Sequence, residues 1–353
     1  VGSRFEQPAA RTSRVGLYWE CLMSASACCR EGVSRCIVDG VAVERVERRM
    51  VDGIELSDYT WCNTNNHRDT ERYRQLQEQG GCWYTEALEE TRMERWSSVL
   101  AELCGQRLLD RRTVIITAAQ QQRYFKPASQ LAMVGARASR LLREEAEDLA
   151  AELQSTNEPI SHPPTHGWFV RTAACSPKDA FRDGGAGPHR SLSEVLLALL
   201  ASQRIHKSMR DYSTDTTLYL MPYDPAVTID RELRVFVHES RVTAMSQYDC
   251  LNPSGVFAKM DSDRLADVAL CVDAFHRHLL SPRWEAVGGV SSYVMDVEYI
   301  EYASDTGEDS VRLIELNCFG AEYAAGSALF HWVHDSAELY SSSRLCIRVL
   351  SEE

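Results

Sequence analysis

The sequence lacks several features that would place it in familiar classes. No stretch reaches the roughly 18 consecutive apolar residues of a membrane span, because polar groups interrupt Val290–Tyr299 and Ser193–Ala201. An excess of positive charge is also missing: 38 basic residues face 51 acidic ones, a formal net charge of −13. Such a chain cannot neutralise a long run of phosphates, so broad nucleic-acid binding is disfavoured. Internal repeats and low-complexity tracts are absent too.

The twelve cysteines contain no Cys-x-x-Cys pair. They are spread over a long chain, so free thiols are expected rather than the disulfide framework of a small secreted domain. Among the first 104 residues, His67 completes a zinc site only with irregular spacing, which argues against zinc. The stretch Val1–Gln7 has no apolar segment of the kind a secretory signal needs, so we expect a cytoplasmic protein. The early cysteines are Cys21, Cys28, Cys29, Cys36, Cys62, Cys82 and Cys104.

What the sequence does contain is material for two cores, since 353 residues with 44% hydrophobic content exceed what one core usually needs. Apolar periodicity and turn signals predict alternating helices and strands. The predicted helices are Thr85–Cys104, Ser139–Gln154, Ser191–Met209 and Leu265–Leu280; the predicted strands are Arg112–Ala118, Trp168–Thr172, Thr217–Tyr223, Glu232–His238 and Arg241–Tyr248. We expect a divergent segment over 1–90, a first lobe over 91–215 and a second lobe over 216–353.

The most informative segment is a second predicted hairpin, Ser292–Tyr302 with Val311–Asn317. Residues two apart on a strand share a face, so Glu315 and Asn317 point the same way. A symmetric hairpin sets Asp296 directly opposite Asn317, with Glu315 one diagonal step away. Two carboxylates and an amide on one patch suit a hard cation such as Mg²⁺. The alternative is an exposed polar face, since strands commonly alternate polar and apolar residues.

The other face of this hairpin is expected to be core, through Ile314 and Leu316. Elsewhere in the sequence, two histidines on a predicted helix, His276 and His278, lie two apart and face different directions. We expect them to be surface residues or satisfied by local hydrogen bonds, and no Ser-His-Asp order is credible.

Candidate phosphate ligands lie near the end of the Trp168–Thr172 strand. Arg171 and Lys178 supply positive charge, and small residues let backbone amides approach phosphate oxygens. Taken by itself, the glycine-rich stretch Asp183–Pro188 is more often just a flexible surface loop. These glycines are Gly184, Gly185 and Gly187.

Two further strands could complete a nucleotide site. Glu232 and Arg234, two apart on one strand, could hold a ribose hydroxyl and a phosphate, although a cross-strand ion pair would also account for them. Thr217–Met221 could offer an extended backbone edge to an adenine, with Leu218 and Leu220 among its apolar walls together with Met221. Packing of a buried strand explains these apolar residues equally well.

Taken in order, these motifs resemble those of the cell division cycle protein 123 family, a branch of the ATP-grasp fold. The resemblance spans about residues 95–335 and rests on several short matches in sequence order. They are Phe169–Arg171, Ser176–Ala180, Leu218–Pro222, Glu232–Val237, Ser246–Asp249, Asp296-Val297, Leu313–Gly320 and Leu329–Trp332.

The resemblance implies an α+β fold in which two lobes with antiparallel sheets enclose an ATP site. Adenine would lie near Leu218, Tyr219, Leu220 and Met221, and Mg²⁺ on the acidic hairpin. Phosphates would lie near Arg171 and Arg234. Three departures from the family pattern are Arg171 in place of the usual Lys, Met221 in place of Arg in the hinge, and Tyr248 where Arg is common. Arg can still clamp a phosphate bidentately.

Two functions follow from the resemblance. The first is that of an ATP- and Mg²⁺-dependent assembly chaperone, which binds the gamma subunit of eukaryotic translation initiation factor 2 and promotes joining of its subunits. The second is an ATP-dependent ligase, joining a carboxylate to an amine or sealing nucleic acid, in which Arg234 would be the catalytic residue that stabilises the transferring group. Nothing in the sequence identifies an acceptor pocket for a ligase, so whether the chain is an enzyme stays open.

Overall fold

The architecture comes from a computed structural model, which describes residues 33–47, 90–131, 138–156, 163–180, 187–209, 211–250, 255–300, 310–320, 326–332, 334–340 and 343–351. These residues form two sheets, one of seven strands and one of three, each with its own hydrophobic core. The expected α+β class with two lobes is confirmed. None of the helices in these ranges combines the length and apolar character needed to cross a bilayer.

The small sheet is antiparallel and has the order β3-β5-β4. Its strands are β3 (Arg112–Ile116), β4 (Trp168–Thr172) and β5 (Thr216–Pro222). Alternate residues such as Val114, Val170 and Leu218 point to one face, where they pack against helices. The lobe's helices are α3 (Ala118–Gln120), α4 (Lys126–Leu131), α5 (Ala138–Thr156), α6 (Leu192–Ala201) and α7 (Gln203–Met209), with a π-helical turn at Gln121–Phe125.

The large sheet has the order β1-β2-β10-β7-β6-β8-β9. An antiparallel sheet was expected, but this one is mixed: β10 runs parallel to both of its neighbours, β2 and β7. Its strands are β1 (Val33–Val38), β2 (Val41–Val46), β6 (Glu232–His238), β7 (Arg241–Gln247), β8 (Tyr293–Tyr299), β9 (Val311–Cys318) and β10 (Cys346–Leu350).

One face of the large sheet packs on helices and forms the larger core. The helices of this lobe and its surroundings are α1 (Met93–Trp96), α2 (Gln106–Leu109), α8 (Ser262–Phe275), α9 (Ser281–Ala286) and α10 (Ser336–Tyr340). Short 3₁₀ turns cover Ala101–Cys104, Ile229–Arg231 and Phe257–Lys259, and a π-helical turn covers His276–Leu280.

Helix lengths were the least accurate part of the sequence prediction. The single helix expected over Thr85–Cys104 is wrong within the described residues: only short turns form, and Gly105 ends the last of them at φ 69°. The helix expected over Ser191–Met209 is interrupted at Ser202, whose extended backbone separates α6 from α7. Ser191 does cap α6, since its side chain accepts a 3.1 Å bond from the Glu194 N–H.

The strand predictions hold to within one or two residues, except that β8 ends at Tyr299 rather than at the expected Tyr302. The β6–β7 hairpin turns at Glu239 and Ser240, with φ of 50° and 61°, as a two-residue turn with left-handed backbone requires. Strand membership cuts across the expected domain boundaries. The strands β1 and β2, within the segment expected to be divergent, belong to the large sheet, and β5, which follows residue 215, belongs to the small one.

Candidate nucleotide and metal site between the two lobes

The acidic hairpin forms, with a register different from the expected one. Asp296 on β8 lies opposite Glu315 on β9, and Asn317 lies opposite Val294. The expectation that Asp296 faces Asn317 is therefore wrong by two residues. Because side chains alternate with a period of two, a slip of two leaves Asp296, Glu315 and Asn317 on their expected face. The three predicted ligands still share one side of the sheet.

A β-bulge accounts for the other discrepancy in this hairpin. Pairing passes from Asp296–Glu315 directly to Val297–Leu313, so Ile314 is the extra residue. Ile314 is consequently only half-buried, whereas Leu313 and Leu316 lie in the core. Of the two residues expected on the core face, the structure bears out Leu316 but not Ile314.

The three side chains meet as expected. The Asn317 Nδ2 atom donates to Asp296 Oδ2 at 3.1 Å and lies 3.5 Å from Glu315 Oε1. Asn317 thus presents its nitrogen to the acids, and its amide would have to turn over to offer an oxygen to a cation. The oxygen atoms present suit a hard divalent cation once that rotation is made.

Arg234 neutralises the most deeply buried of these acids. It lies opposite Asp296 across β6 and β8, and it donates from Nε to Oδ1 at 2.9 Å and from Nη2 to Oδ2 at 2.8 Å. Its remaining nitrogen, Nη1, donates to the carbonyl of Gly326 at 2.9 Å. Asp296 is fully buried. The cross-strand ion pair considered from the sequence is therefore present, and it occupies the donors of Arg234.

Arg171 brings the small lobe into the site. It lies on β4 opposite Tyr219 of β5, and its Nη1 atom donates to Glu315 Oε2 at 2.6 Å. Both side chains are largely shielded from solvent, Arg171 at 8% and Glu315 at 17% relative exposure. This ion pair joins the two sheets and fixes the site at the junction of the lobes.

Lys178 extends from the segment that follows β4. Its Nζ atom donates to the hydroxyl of Tyr248 at 3.3 Å and lies 5.2 Å from the centre of the same ring. The Arg234 guanidinium carbon lies 4.8 Å from that ring. Tyr248, which directly follows β7, therefore contacts both cations.

Burial and neighbouring charges shift the acidities of the cluster. Burial, reinforced by the negative charge of Asp296, raises the pKa of Glu232 to about 8. Burial also raises the pKa of Asp296, although Arg234 opposes it. For Glu315 burial works in the same direction, but Arg171 and its neighbouring cations outweigh it and lower the pKa. Burial and neighbouring charge thus move the pKa values of Glu232 and Glu315 in opposite directions.

The pKa of Lys178 is also shifted, and it is raised. Desolvation disfavours its charged form, yet Tyr248, Glu315 and Glu232 outweigh this and raise its pKa above the usual value. Lys178 therefore stays charged at neutral pH, and the acids of the large sheet attract it across the junction.

The prediction that β5 offers an open backbone edge to an adenine is wrong. β5 is the central strand of the small sheet, with β3 pairing up to Leu220 and β4 pairing up to Pro222. Its backbone is paired on both sides over Leu218–Leu220. Leu218 and Leu220 belong to the small-lobe core, so the alternative of buried-strand packing applies to them.

The other face of β5 turns toward the large lobe. Tyr219 and Met221 pack with the large-sheet core, beside Phe169 of β4. Burial, assisted by a hydrogen bond with Glu94, raises the pKa of Tyr219 to about 12. Of the four residues expected around an adenine, these two face the junction.

The glycine loop can be judged only in part. Gly184 and Gly185 lie outside the described residues. At Gly187, with φ of 148°, an added Cβ would come within 2.6 Å of the Trp168 carbonyl oxygen. This glycine is therefore required by close packing against β4.

The described residues provide no acid or cysteine cluster that forms a metal site by itself: no group of three His, Cys, Asp or Glu side chains is suitably arranged there. A cation in the hairpin would thus depend on the Asn317 amide as well as the two acids. Cys36 and Cys104 form no disulfide within the described residues, in line with the thiols expected. The other early cysteines and His67 lie outside the described residues.

Sequence reasoning missed two participants in this site. Tyr248 was noted only as a departure from the family pattern, and its position directly after a strand that pairs with the Arg234 strand was the available signal. The Gly326 carbonyl gave no signal, because a backbone acceptor is independent of residue type.

Comparison with known proteins identifies the family. The D123 family model matches residues 176–352, half of the chain. The chain belongs to the D123 family. This confirms the expected cell division cycle protein 123 family, with a match that begins later and ends later than the sequence resemblance over about 95–335. No curated protein matches the chain.

Solved structures give weaker likenesses. The chain is similar to Cdc123 from Schizosaccharomyces pombe at 16% identity and a TM-score of 0.47, over 75% of this chain and 97% of that one. A C-terminally truncated form of that protein is similar at 16% identity and a TM-score of 0.46, over 75% of this chain and 96% of that one. D-cycloserine synthetase DcsG gives 12% identity and a TM-score of 0.28, over 66% and 64%.

Proposed function

We propose that this D123 family member binds Mg–ATP at the junction of its two lobes, as an ATP-grasp protein. The observation that carries the proposal is the 2.6 Å ion pair between Arg171 of the small sheet and Glu315 of the large one. It sets a phosphate-binding type of cation beside a metal-binding type of anion, and each comes from a different lobe.

The composition of the cluster supports this ligand. Without a ligand, its acids and bases neutralise one another, as the Arg234–Asp296 and Arg171–Glu315 pairs do. Mg–ATP carries both signs, so the cations can exchange acid partners for phosphate oxygens while the acids exchange cations for the metal. Such an exchange keeps buried charges paired, which limits the desolvation cost of binding.

Each residue then has a role in the proposal. Asp296, Glu315 and Asn317 hold the metal, which would screen the phosphate charge. Arg171 and Lys178 bind phosphates, and Arg234 orients Asp296 and can turn to the phosphates. Tyr219 and Met221 lie against the base, since they alone of the four predicted adenine contacts face the junction. Glu232 is placed for a ribose hydroxyl.

The biological role we propose is that of an assembly chaperone acting in the cytoplasm. Closure of the lobes around the nucleotide would shape a surface for the gamma subunit of eukaryotic translation initiation factor 2. Family membership supports this role, together with a junction whose ion pairs come from both lobes.

Nucleotide binding can be tested by thermal shift with ATP, with and without Mg²⁺. The wild type, Asp296→Ala and Glu315→Ala are compared with Glu44→Gln, which alters a buried acid elsewhere in the large sheet. We expect Mg²⁺ to enhance the ATP shift in the wild type and in Glu44→Gln, and to have no effect in the two hairpin variants. Equal responses in all four proteins would contradict the proposed site.

The chaperone role has a separate test. Pull-down of the purified initiation factor subunits should require Mg–ATP and be lost in Glu315→Ala. ADP release is measured in parallel, with the chain alone and with candidate acceptors. Turnover that depends on a small-molecule carboxylate or amine would instead favour the ligase function.

A further inference from the structure

Tyr248 contacts cations of both lobes, although it lies on none of the strands that carry the predicted ligands. Its backbone N–H donates to the Glu232 carbonyl at 2.9 Å, so the residue is held at the end of the β6–β7 pair. Arg234 lies against its ring at 4.8 Å, and Lys178 donates to its hydroxyl at 3.3 Å. One side chain thus links a cation of the large lobe to a cation of the small lobe.

The Lys178 segment is itself anchored at its next residue. The Asp179 carboxylate accepts a 2.5 Å bond from the Ser202 hydroxyl and a 3.1 Å bond from the Arg204 N–H. These contacts tie the segment to the break between α6 and α7. Lys178 therefore has a fixed base in the small lobe, and only its side chain is left to be directed.

Two cations that contact the same ring repel each other, and each would turn to the nearest acid unless something held it. Arg234 already donates hydrogen bonds to both carboxylate oxygens of Asp296. For Lys178, the described residues offer no acid within ion-pair distance, and Tyr248 is its hydrogen-bond partner. A ring face attracts a cation and a phenol oxygen accepts from it, so one tyrosine can hold both without neutralising either.

We infer that Tyr248 is a positioning residue that holds Lys178 and Arg234 together as a charged pair ready for the phosphates of a nucleotide. This inference rests on the proposed function for the identity of the ligand. A carboxylate at this position would trap the cations, whereas the phenol bond to Lys178 is weak enough to be exchanged for a phosphate bond.

The first test needs no nucleotide. The chain has four lysines, Lys126, Lys178, Lys207 and Lys259, so limited acylation with acetic anhydride followed by peptide mass spectrometry reports on each one. Loss of the Tyr248 contact should free the Lys178 amine. We expect its reactivity, relative to Lys126, to rise about threefold or more in Tyr248→Leu and less in Tyr248→Phe. Unchanged reactivity in both variants would overturn the inference.

The second test uses calorimetric titration of the same proteins with Mg–ATP and with AMP without metal. We expect Tyr248→Leu to weaken Mg–ATP binding about tenfold and AMP binding much less, because AMP lacks the outer phosphates. Tyr248→Phe keeps the ring against Arg234, so its affinity for Mg–ATP should lie between those of the wild type and Tyr248→Leu. Equal weakening of both ligands would indicate a merely structural role and would overturn the inference.

The outcomes separate the two claims. A wild type that binds Mg–ATP, with variants of unchanged affinity and unchanged Lys178 reactivity, refutes the positioning role and leaves the proposed function standing. A wild type that does not bind Mg–ATP refutes the proposed function, and the acylation result then decides whether Tyr248 holds Lys178. The conservative Tyr248→Phe variant, checked by its melting temperature, guards against a folding defect in Tyr248→Leu.

Discussion

The Arg234–Asp296 pair should dominate the electrostatic contribution of the site to stability. The substitution Asp296→Asn keeps the shape of the side chain and removes its charge. Asp296 is fully buried and Arg234 is 7% exposed, so water cannot replace the lost partner. Breaking one side of a buried ion pair costs about 3–5 kcal/mol of unfolding free energy.

A matched substitution in the same cluster should cost less. Glu315→Gln also removes one carboxylate charge, but the Glu315 side chain is 17% exposed, and its loss leaves Arg171 a backbone acceptor, the Thr172 carbonyl, at 3.2 Å. We expect a loss of about 1–2 kcal/mol for this variant. The contrast between the two acids tests burial as the cause.

The assay is urea unfolding at pH 7 without nucleotide, followed by tryptophan fluorescence, with the slopes compared to verify equal exposure on unfolding. A double substitution, Asp296→Leu with Arg234→Met, should recover most of the stability because no buried charge is left alone. Equal losses for Asp296→Asn and Glu315→Gln, or a loss below about 1 kcal/mol for Asp296→Asn, would refute the reasoning.

Three further outcomes are expected. Burial lowers the pKa of His276 to about 4, so as the pH falls this histidine is protonated in the unfolded chain before it is protonated in the folded one. The free energy of unfolding should therefore fall by up to about 3 kcal/mol between pH 6.5 and 4. This part of the pH dependence should vanish in His276→Gln. Gly187→Ala should lower the melting temperature more than Gly40→Ala, whose Cβ meets no atom within 4 Å. Glu44→Gln should cost about 1–2 kcal/mol in urea unfolding, because buried Arg348, 2.7 Å away, loses one of its two acid partners but keeps Asp335 at 2.8 Å, and an unchanged free energy of unfolding would contradict this.

Strands and their faces could be predicted from the sequence because apolar and polar residues alternate along them. This is why Glu315 and Asn317 were correctly placed on one face, with Asp296 on the neighbouring strand. The register was wrong because it was extrapolated from a symmetric loop, and the bulge at Ile314 leaves no mark on residue type.

Sheet order was beyond the reach of the sequence. The central position of β5 depends on which segments flank it, and β3 and β4 come from distant parts of the chain. Reading β5 as an edge therefore misassigned Leu218 and Leu220. The interruption of the predicted long helix at Ser202 was missed for a similar reason, since its anchor is the carboxylate of Asp179, more than twenty residues away in the chain.

His276 shows the same limit in a core position. The sequence allowed it to be satisfied, and its Nε2 atom does meet the Tyr293 hydroxyl at 2.8 Å. Its Nδ1 atom is buried and has no hydrogen-bond partner among the described residues. A helical position two residues from His278 cannot reveal that difference, because depth of burial depends on the strand packed against the helix.

A crystal structure with Mg²⁺ and a non-hydrolysable ATP analogue tests the central claim most directly. The account predicts a metal about 2.1 Å from oxygen atoms of Asp296, Glu315 and Asn317, with Arg171 turned from Glu315 to a phosphate. A nucleotide bound away from the junction, or a metal held by other residues while the Arg171–Glu315 pair stays closed, would contradict it.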